Sequence, residues 1–207
     1  MSVATQKEAG AVGTSAGSPP EWLWRCSVEQ YHEMIQAGIL DEDDRVELLD
    51  GWLVRKMTEN PAHSSATEGT YDSLVRVVPR GWYVRFPHPV TLPGSEPEPD
   101  LAVARGDRHC YAQRHPNPGD LALVVEVADA TLRGDRTLKK RLYAQAGIPV
   151  YWIVNLVDRC LEVYTVPNVD SDPPDYQARQ DYTADDVVPV VIEGHEAGRI
   201  AVRELLP

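Results

Sequence analysis

Residues 121–128 read LALVVEVA, an apolar run that contains a single acid, Glu126. Such a run is typical of a β-strand that is covered on both faces of its sheet. A helical pattern follows from about Arg133 to Ala146 and ends at Gly147, and residues 150–154, VYWIV, form a second apolar strand. Strand, helix and strand with short links predict a βαβ unit, with two parallel strands and a right-handed crossover.

The pattern outside this unit predicts further helices and strands. Ser27 and Gln30 fit a capping box that begins a helix, and Asp50-Gly51 between two extended segments predicts a hairpin. The other predicted elements are a helix over 62–78, strands over 82–86 and 100–104, a long loop over 105–119, and short strands within 161–165, 176–179, 187–192 and 199–202. The sequence therefore predicts an α/β fold.

Length and composition predict one domain after a short leader. Residues 1–20 are mainly Ala, Gly, Ser, Thr and Pro, which cannot bury enough surface to offset the entropy of ordering, so we expect a disordered leader there and one domain over 21–207. No apolar run approaches the roughly 18 residues of a membrane span, and we expect a soluble, cytoplasmic protein that does not bind a membrane. Three widely spaced cysteines predict no disulfide framework.

The net charge of −12 argues against a protein that coats nucleic acid without specificity, because affinity for a polyanion depends on cationic contacts. Between Arg76 and Arg141, however, eleven Lys/Arg stand against eight Asp/Glu, a local charge of +3. This middle segment could bind an anionic substrate, or it could be an ordinary mixed-charge surface.

Glu126 is the residue that points to chemistry. A carboxylate in the middle of a buried apolar strand costs several kcal/mol of desolvation unless it is protonated, paired with a cation or bound to a metal. A buried salt bridge to an Arg or Lys is the structural alternative.

Two neighbours favour a metal site. Asp100 opens the strand that follows Pro99, and two carboxylates on adjacent strands are the kind of ligand pair that magnesium prefers. Asp135, Lys139 and Tyr143 are spaced four apart and so share one helical face, from which Lys139 could reach Glu126. The alternatives are a turn residue at Asp100 and a solvated pair between Lys139 and Asp135, worth a few tenths of a kcal/mol.

These motifs together resemble the Uma family of restriction endonucleases, within the PD-(D/E)XK nuclease superfamily. The resemblance covers about residues 27–165. It rests on ELLDG at 47–51, His63 ahead of a helix, PDL at 99–101, LVVEVADAT at 123–131, Asp135-Arg136 with Lys139 and Tyr143, and GIPVYWIVN at 147–155.

The resemblance implies a restriction-endonuclease-like core with a central mixed β-sheet flanked by helices, an extra N-terminal hairpin and C-terminal strands. It implies a magnesium- or manganese-dependent phosphodiester site in which Asp100 and Glu126 bind the metal. Lys139 replaces the lysine that the superfamily pattern places at Ala128, and Glu47 could complete the metal shell or could face solvent. His63, Tyr143 and Asp135 are accessory candidates.

Arg133, Arg136 and the Arg105–His115 loop are candidate phosphate contacts, placed by charge rather than by any motif that reads bases. The expected substrate is nucleic acid, with DNA favoured, and a homodimer is expected because cutting both strands requires two sites. Two other functions stay open: a catalytically inactive binding or dimerisation module, and a metal hydrolase of a small phosphorylated molecule. Each would use the same fold.

Overall fold

The computed structural model describes residues 23–207. The predicted leader, residues 1–20, lies outside this part of the chain. The described helices are α1 (Val28–Gln36), α2 (Pro61–Val77) and α3, which runs over 132–145 as an α-helical turn Leu132–Gly134, a π-helical segment Asp135–Lys139 and an α-helical end Lys140–Gln145. None of these helices is long and apolar enough to cross a membrane.

Ten strands are described. They are β1 (Val46–Leu49), β2 (Trp52–Arg55), β3 (Trp82–Arg85), β4 (Leu101–Arg105), β5 (Leu121–Ala128), β6 (Val150–Asn155), β7 (Cys160–Asn168), β8 (Asp175–Thr183), β9 (Val187–Ile192) and β10 (His195–Ala201). Strands β3 to β8 form one six-stranded sheet in chain order, while β1–β2 and β9–β10 are separate antiparallel hairpins.

The main sheet is mixed, because β5 and β6 are parallel and every other neighbouring pair is antiparallel. The predicted βαβ unit is therefore confirmed, with α3 as its crossover helix. Strand β5 is buried along its whole length, as its apolar run predicts. The C-terminal strands β7 and β8 are longer than predicted. Each extends over nine residues, and the two pair as a hairpin that widens the main sheet.

Each face of the sheet has its own apolar core. On one face, α2 and the β9–β10 hairpin pack through Leu74, Val188 and Ile200 against residues that include Trp152. On the other face, α3 packs through Tyr143 and Ala144. Because side chains alternate along a strand, Val125 and Val127 enter the first core, while Glu126 points with Val124 toward α3.

Both local signals predicted in this part of the sequence, a capping box and a hairpin turn, are confirmed. Ser27 accepts a hydrogen bond from the backbone of Gln30, and the Gln30 side chain accepts one from the backbone of Ser27, which completes the capping box of α1. Asp50 and Gly51, both with positive φ, form the turn of the β1–β2 hairpin. This hairpin lies beside the end of the main sheet where Asp100 and Glu126 are found, since Leu48 accepts a backbone hydrogen bond from Glu96.

Candidate functional site

A cleft of about 470 Å³ opens between the β1–β2 hairpin, the start of α2, the beginning of β4, the end of β5 and the first half of α3. Its lining residues lie within 45–63, at 87, 98 and 100, within 126–131 and within 134–139, and we call it the cleft. Six of the residues singled out in the sequence line it: Glu47, His63, Asp100, Glu126, Asp135 and Lys139. Glu47, Asp100, Glu126 and Asp135 are called the four cleft acids below.

Glu126 lies on the floor of the cleft and is only 3% exposed. The Tyr143 hydroxyl donates a hydrogen bond of 2.7 Å to its Oε1, and Lys139 Nζ lies 3.0 Å from the same oxygen. Burial raises the pKa of Glu126 well above its usual value, and the nearby Lys139 ammonium opposes that rise. One acid on an apolar strand is thus held by a phenol and a cation, both from α3.

Lys139 connects Glu126 to the hairpin. Its Nζ lies 3.6 Å from Glu47 Oε1, and Glu47 Oε2 accepts a hydrogen bond of 3.0 Å from the backbone N–H of Glu98. Burial alone would lower the pKa of Lys139, but the four cleft acids raise it above its usual value, so the ammonium stays charged. Two structural alternatives are wrong, because Glu47 is buried and Lys139 is not a solvated partner of Asp135. The alternative for Glu126 is confirmed, since this acid forms a buried salt bridge with Lys139.

Asp100 stands where β4 begins. Leu101 is paired with Val125 in the antiparallel register, which puts Asp100 opposite Glu126 and on the same side of the sheet. Its Oδ2 accepts a hydrogen bond of 2.6 Å from the backbone N–H of Val127 and lies 3.3 Å from His63 Nε2. The two acids therefore meet in one cleft, as the metal-site hypothesis requires.

His63 enters from the first turn of α2. Burial alone would lower the pKa of its imidazole, but the hydrogen bond and the charge of Asp100, helped by Glu59, raise it above its usual value. Ligand atoms of Glu59, His63 and Asp100 all lie within 4.8 Å of one another, and no other group of His, Cys, Asp and Glu among residues 23–207 is as compact. The carboxylates of Asp100, Glu126 and Glu47 are therefore more widely spaced than this group.

Asp135 is a buried acid of the cleft with one carboxylate oxygen that accepts no hydrogen bond from residues 23–207. The residue is 2% exposed, and its Oδ2 is buried without a hydrogen-bond partner from the described residues. Burial raises its pKa, which the charge of Lys139 partly offsets. A buried carboxylate oxygen without a donor is costly, and a bound cation would remove that cost.

The predicted phosphate contacts are not brought into the cleft. The Arg136 guanidinium points to the other side of α3, where its Nε donates to Glu162 at 3.0 Å and its Nη2 to Asp158 at 3.0 Å. Arg133 is exposed and is not among the lining residues. In the Arg105–His115 loop, Arg105 pairs with Glu193 and Arg114 with Asp120, and none of the loop lines the cleft.

Arg136 directly follows Asp135 on α3, so the helical repeat turns its side chain away from the face that Asp135 and Lys139 share. It faces the buried carboxylate of Glu162, on β7, and no local pattern in the sequence indicates that contact.

Sequence reasoning also missed several residues of the cleft wall. Glu59 stands four positions before His63 at the start of α2, and its side chain is 3.9 Å from that imidazole. Asp129, directly after β5, accepts a hydrogen bond of 2.6 Å from the Asn60 side chain. The i, i+4 spacing of Glu59 and His63, and an acid at the end of a buried strand, were the available signals.

Comparisons with known proteins agree with this fold. The model of the Uma2 family, described as "Putative restriction endonuclease", matches residues 28–197. A solved structure of "a putative nuclease belonging to DUF820 from Anabaena variabilis ATCC 29413" matches with a TM-score of 0.60 at 14% identity, covering 86% of this chain and 96% of that chain. At this identity the likeness establishes the fold, and a search of curated proteins gives no match.

Proposed function

This chain belongs to the Uma2 family of restriction-endonuclease-like proteins, and we propose that it is a magnesium- or manganese-dependent endonuclease that hydrolyses phosphodiester bonds of DNA. The observation that carries the proposal is the excess of acids around Lys139. Glu47 and Glu126 pair with this lysine, Asp100 and Asp135 lie near it, and one carboxylate oxygen of Asp135 has no donor among the described residues. Such an excess of buried negative charge is tolerable when a cation shares the site.

Asp100, Glu126 and Glu47 offer only carboxylate oxygens, the donors that a hard divalent ion prefers. Asp100 and Glu126 would hold the ion, with Glu47 completing the shell. Glu59 and His63 offer a further ligand group that shares Asp100. When bound, the ion would supply Lewis acidity, which makes water a better nucleophile and stabilises charge on the departing oxygen.

The chain's own residues have separate tasks in this proposal. Tyr143 and Lys139 fix the rotamer of Glu126 from α3, and the backbone N–H of Val127 fixes Asp100. Lys139 stays protonated and would stabilise negative charge that develops on the phosphate. Removing a positioned donor of this kind typically costs about 10²–10³ in kcat.

The test is cleavage of supercoiled plasmid and of single-stranded DNA with Mg²⁺ or Mn²⁺, comparing the wild type with Asp100→Ala and Glu126→Gln. Both variants should lose cleavage, whereas Glu33→Gln, an exposed acid on α1 outside the cleft, should retain it. Cleavage that survives Asp100→Ala would not depend on the cleft and would remove the support for the site.

The same assay separates the two other functions. A binding module would retain DNA in a metal-dependent manner without cutting it. A hydrolase of small phosphorylated molecules would turn over nucleotides and leave polynucleotides unbound. Either result would contradict the proposed endonuclease. A homodimer belongs to the proposal, because one cleft per chain can cut only one strand at a time.

A further inference from the structure

The cations of the cleft are concentrated on one wall. The β1–β2 hairpin with its flanking residues contributes three of the four Lys/Arg that line the cleft, Arg45, Arg55 and Lys56, and one of the four cleft acids, Glu47. The sheet and α3 contribute the other three cleft acids and Lys139, and form the acidic wall. In a chain of net charge −12, a polyanionic substrate is held by the few cations that remain free to contact it.

Two of the four cleft cations are already engaged. Lys139 is held by Glu126 and Glu47, and Lys56 Nζ lies 2.5 Å from Glu98. Arg45 and Arg55 are exposed and form no ion pair with a carboxylate of residues 23–207. Their guanidinium groups can therefore contact phosphates without first breaking a salt bridge.

The hairpin places the two arginines at neighbouring strand ends. Lys56 donates its backbone N–H to the carbonyl of Arg45 at 2.8 Å, so Arg45 flanks β1 next to the end of β2. Arg55 is paired with Val46, so its side chain leaves β2 on the face opposite Glu47, and it lines the cleft from the end of that strand. Glu47, two residues after Arg45, reaches Lys139 and so connects this wall to Glu126.

We infer that Arg45 and Arg55 bind the phosphates next to the scissile one, so that the cleft takes a polynucleotide strand rather than a single nucleotide. This inference rests on the proposed endonuclease function. The scissile phosphate would lie at the acidic wall beside Lys139, which leaves the hairpin wall for its neighbours along the backbone. These contacts position the strand and read no base.

The experiment compares Arg45→Ala/Arg55→Ala with a control, Arg80→Ala/Arg108→Ala, which removes two exposed arginines outside the cleft. Binding of a labelled 20-nucleotide single strand is measured by fluorescence anisotropy between 50 and 200 mM salt, in the non-cleaving Glu126→Gln background. We expect the cleft variant to bind at least tenfold more weakly, with a salt slope smaller by about 0.7 per arginine, and the control to bind like its parent.

Cleavage and a conservative variant complete the design. With Glu126 restored, KM should rise in the double alanine variant while kcat stays within about threefold, and Arg45→Lys/Arg55→Lys should recover most of the binding because charge is retained. Thermal melting of each variant shows that the fold persists.

Three outcomes would overturn the inference: equal loss of binding in the control, unchanged salt slopes, or an equal loss for a mononucleotide probe. If the parent neither binds nor cuts DNA, the proposed function fails as well. If the parent cuts DNA and the cleft variant behaves like the control, only the inference fails.

Discussion

At the scale of single residues, Glu126 shows how an acid is accommodated on a buried strand. The Tyr143 hydroxyl and the Lys139 ammonium both contact its Oε1, so its charge is balanced from one helix rather than by solvent. Lys139 does not balance Glu126 alone, because it also lies beside Glu47 and near Asp135 and Asp100. The acids around Lys139 therefore outnumber the cations, and this excess of negative charge favours the binding of a further cation.

Replacing Lys139 tests that balance. Lys139→Met should destabilise the metal-free protein by about 2–4 kcal/mol, since it leaves Glu126 and Glu47 buried without their cation, and protonation of Glu126 limits the cost. The same change should strengthen Mn²⁺ binding, because it removes a competing positive charge, while cleavage falls by about 10²-fold or more. Urea denaturation and calorimetric titration with Mn²⁺ measure the two effects.

Lys140→Met is the matched control, because Lys140 pairs with Asp175 at the surface and its loss should cost under about 1 kcal/mol. Equal destabilisation by the two substitutions, or weaker Mn²⁺ binding in Lys139→Met, would contradict the proposed role of Lys139.

Glu162 is the second buried acid on the sheet, and its partners give a pH-dependent prediction. Burial alone would raise its pKa, but hydrogen bonds from Arg136, Tyr164 and Asn155 hold it below the usual 4.5. Glu162→Gln should cost about 2 kcal/mol at pH 7, less than the 3–5 kcal/mol of a fully buried pair, because Arg136 keeps contact with water.

The sign of the pH effect follows from the lowered pKa. The stabilisation by Glu162 is complete above its unfolded pKa, near 4.5, and is lost as the pH falls through the lower folded value. The stability difference between wild type and variant, measured by urea denaturation from pH 7 to pH 3, should therefore narrow below about pH 4.5. Glu68→Gln, at an exposed site on α2, should show no difference at any pH.

At the scale of secondary structure, the sequence was sufficient for elements whose signals are local. The apolar run of β5, the capping box at Ser27 and the Asp50-Gly51 turn each gave the correct element, because each depends on neighbours in the chain. The βαβ order then fixed the parallel pair of β5 and β6, and with it the position of Glu126.

Contacts between distant segments were beyond such reasoning. The π-helical segment of α3 has no local signature in DRTLK, and the contact of Arg136 with Glu162, on β7, joins residues that are 26 positions apart in the chain. In the same way, nothing in the hairpin sequence indicated that Arg45 and Arg55 would line the cleft with Asp100. The acid Glu126 could be identified from the sequence because a carboxylate within a buried apolar strand is unusual. An arginine at an exposed position is common, so its presence indicates no particular function.

Two helical glycines give opposite predictions at this scale. A Cβ at Gly69, in α2, would lie 2.7 Å from the carbonyl oxygen of Glu204, so Gly69→Ala should destabilise by about 1–3 kcal/mol in spite of alanine's helix propensity. Gly134, in the first turn of α3, has no such neighbour within 4 Å, and Gly134→Ala should stabilise by about 0.5–1 kcal/mol. Melting temperatures with opposite shifts are expected. A raised melting temperature for Gly69→Ala would show that the packing of α2 against residue 204 is wrong, and a lowered one for Gly134→Ala would contradict the open space at that residue.

At the scale of the whole molecule, each chain has one cleft with this set of acids in its described part, and the proposed endonuclease must still cut two strands of opposite polarity. A two-fold homodimer presents two identical sites in that relation. We therefore expect light scattering to give twice the chain mass of 23.0 kDa, and supercoiled plasmid to become linear without prolonged accumulation of the nicked circle.

Mixing wild type with Asp100→Ala subunits sharpens this prediction, because a mixed dimer has one working cleft and should stop at the nicked circle. The nicked product should therefore increase with the fraction of Asp100→Ala subunits, provided that the subunits are unfolded and refolded together so that they exchange. A chain that acts as a monomer would instead show activity that falls in proportion to dilution, with an unchanged ratio of nicked to linear product. That result, with a mass of one chain in solution, would leave the cleft assignments intact and refute the dimer.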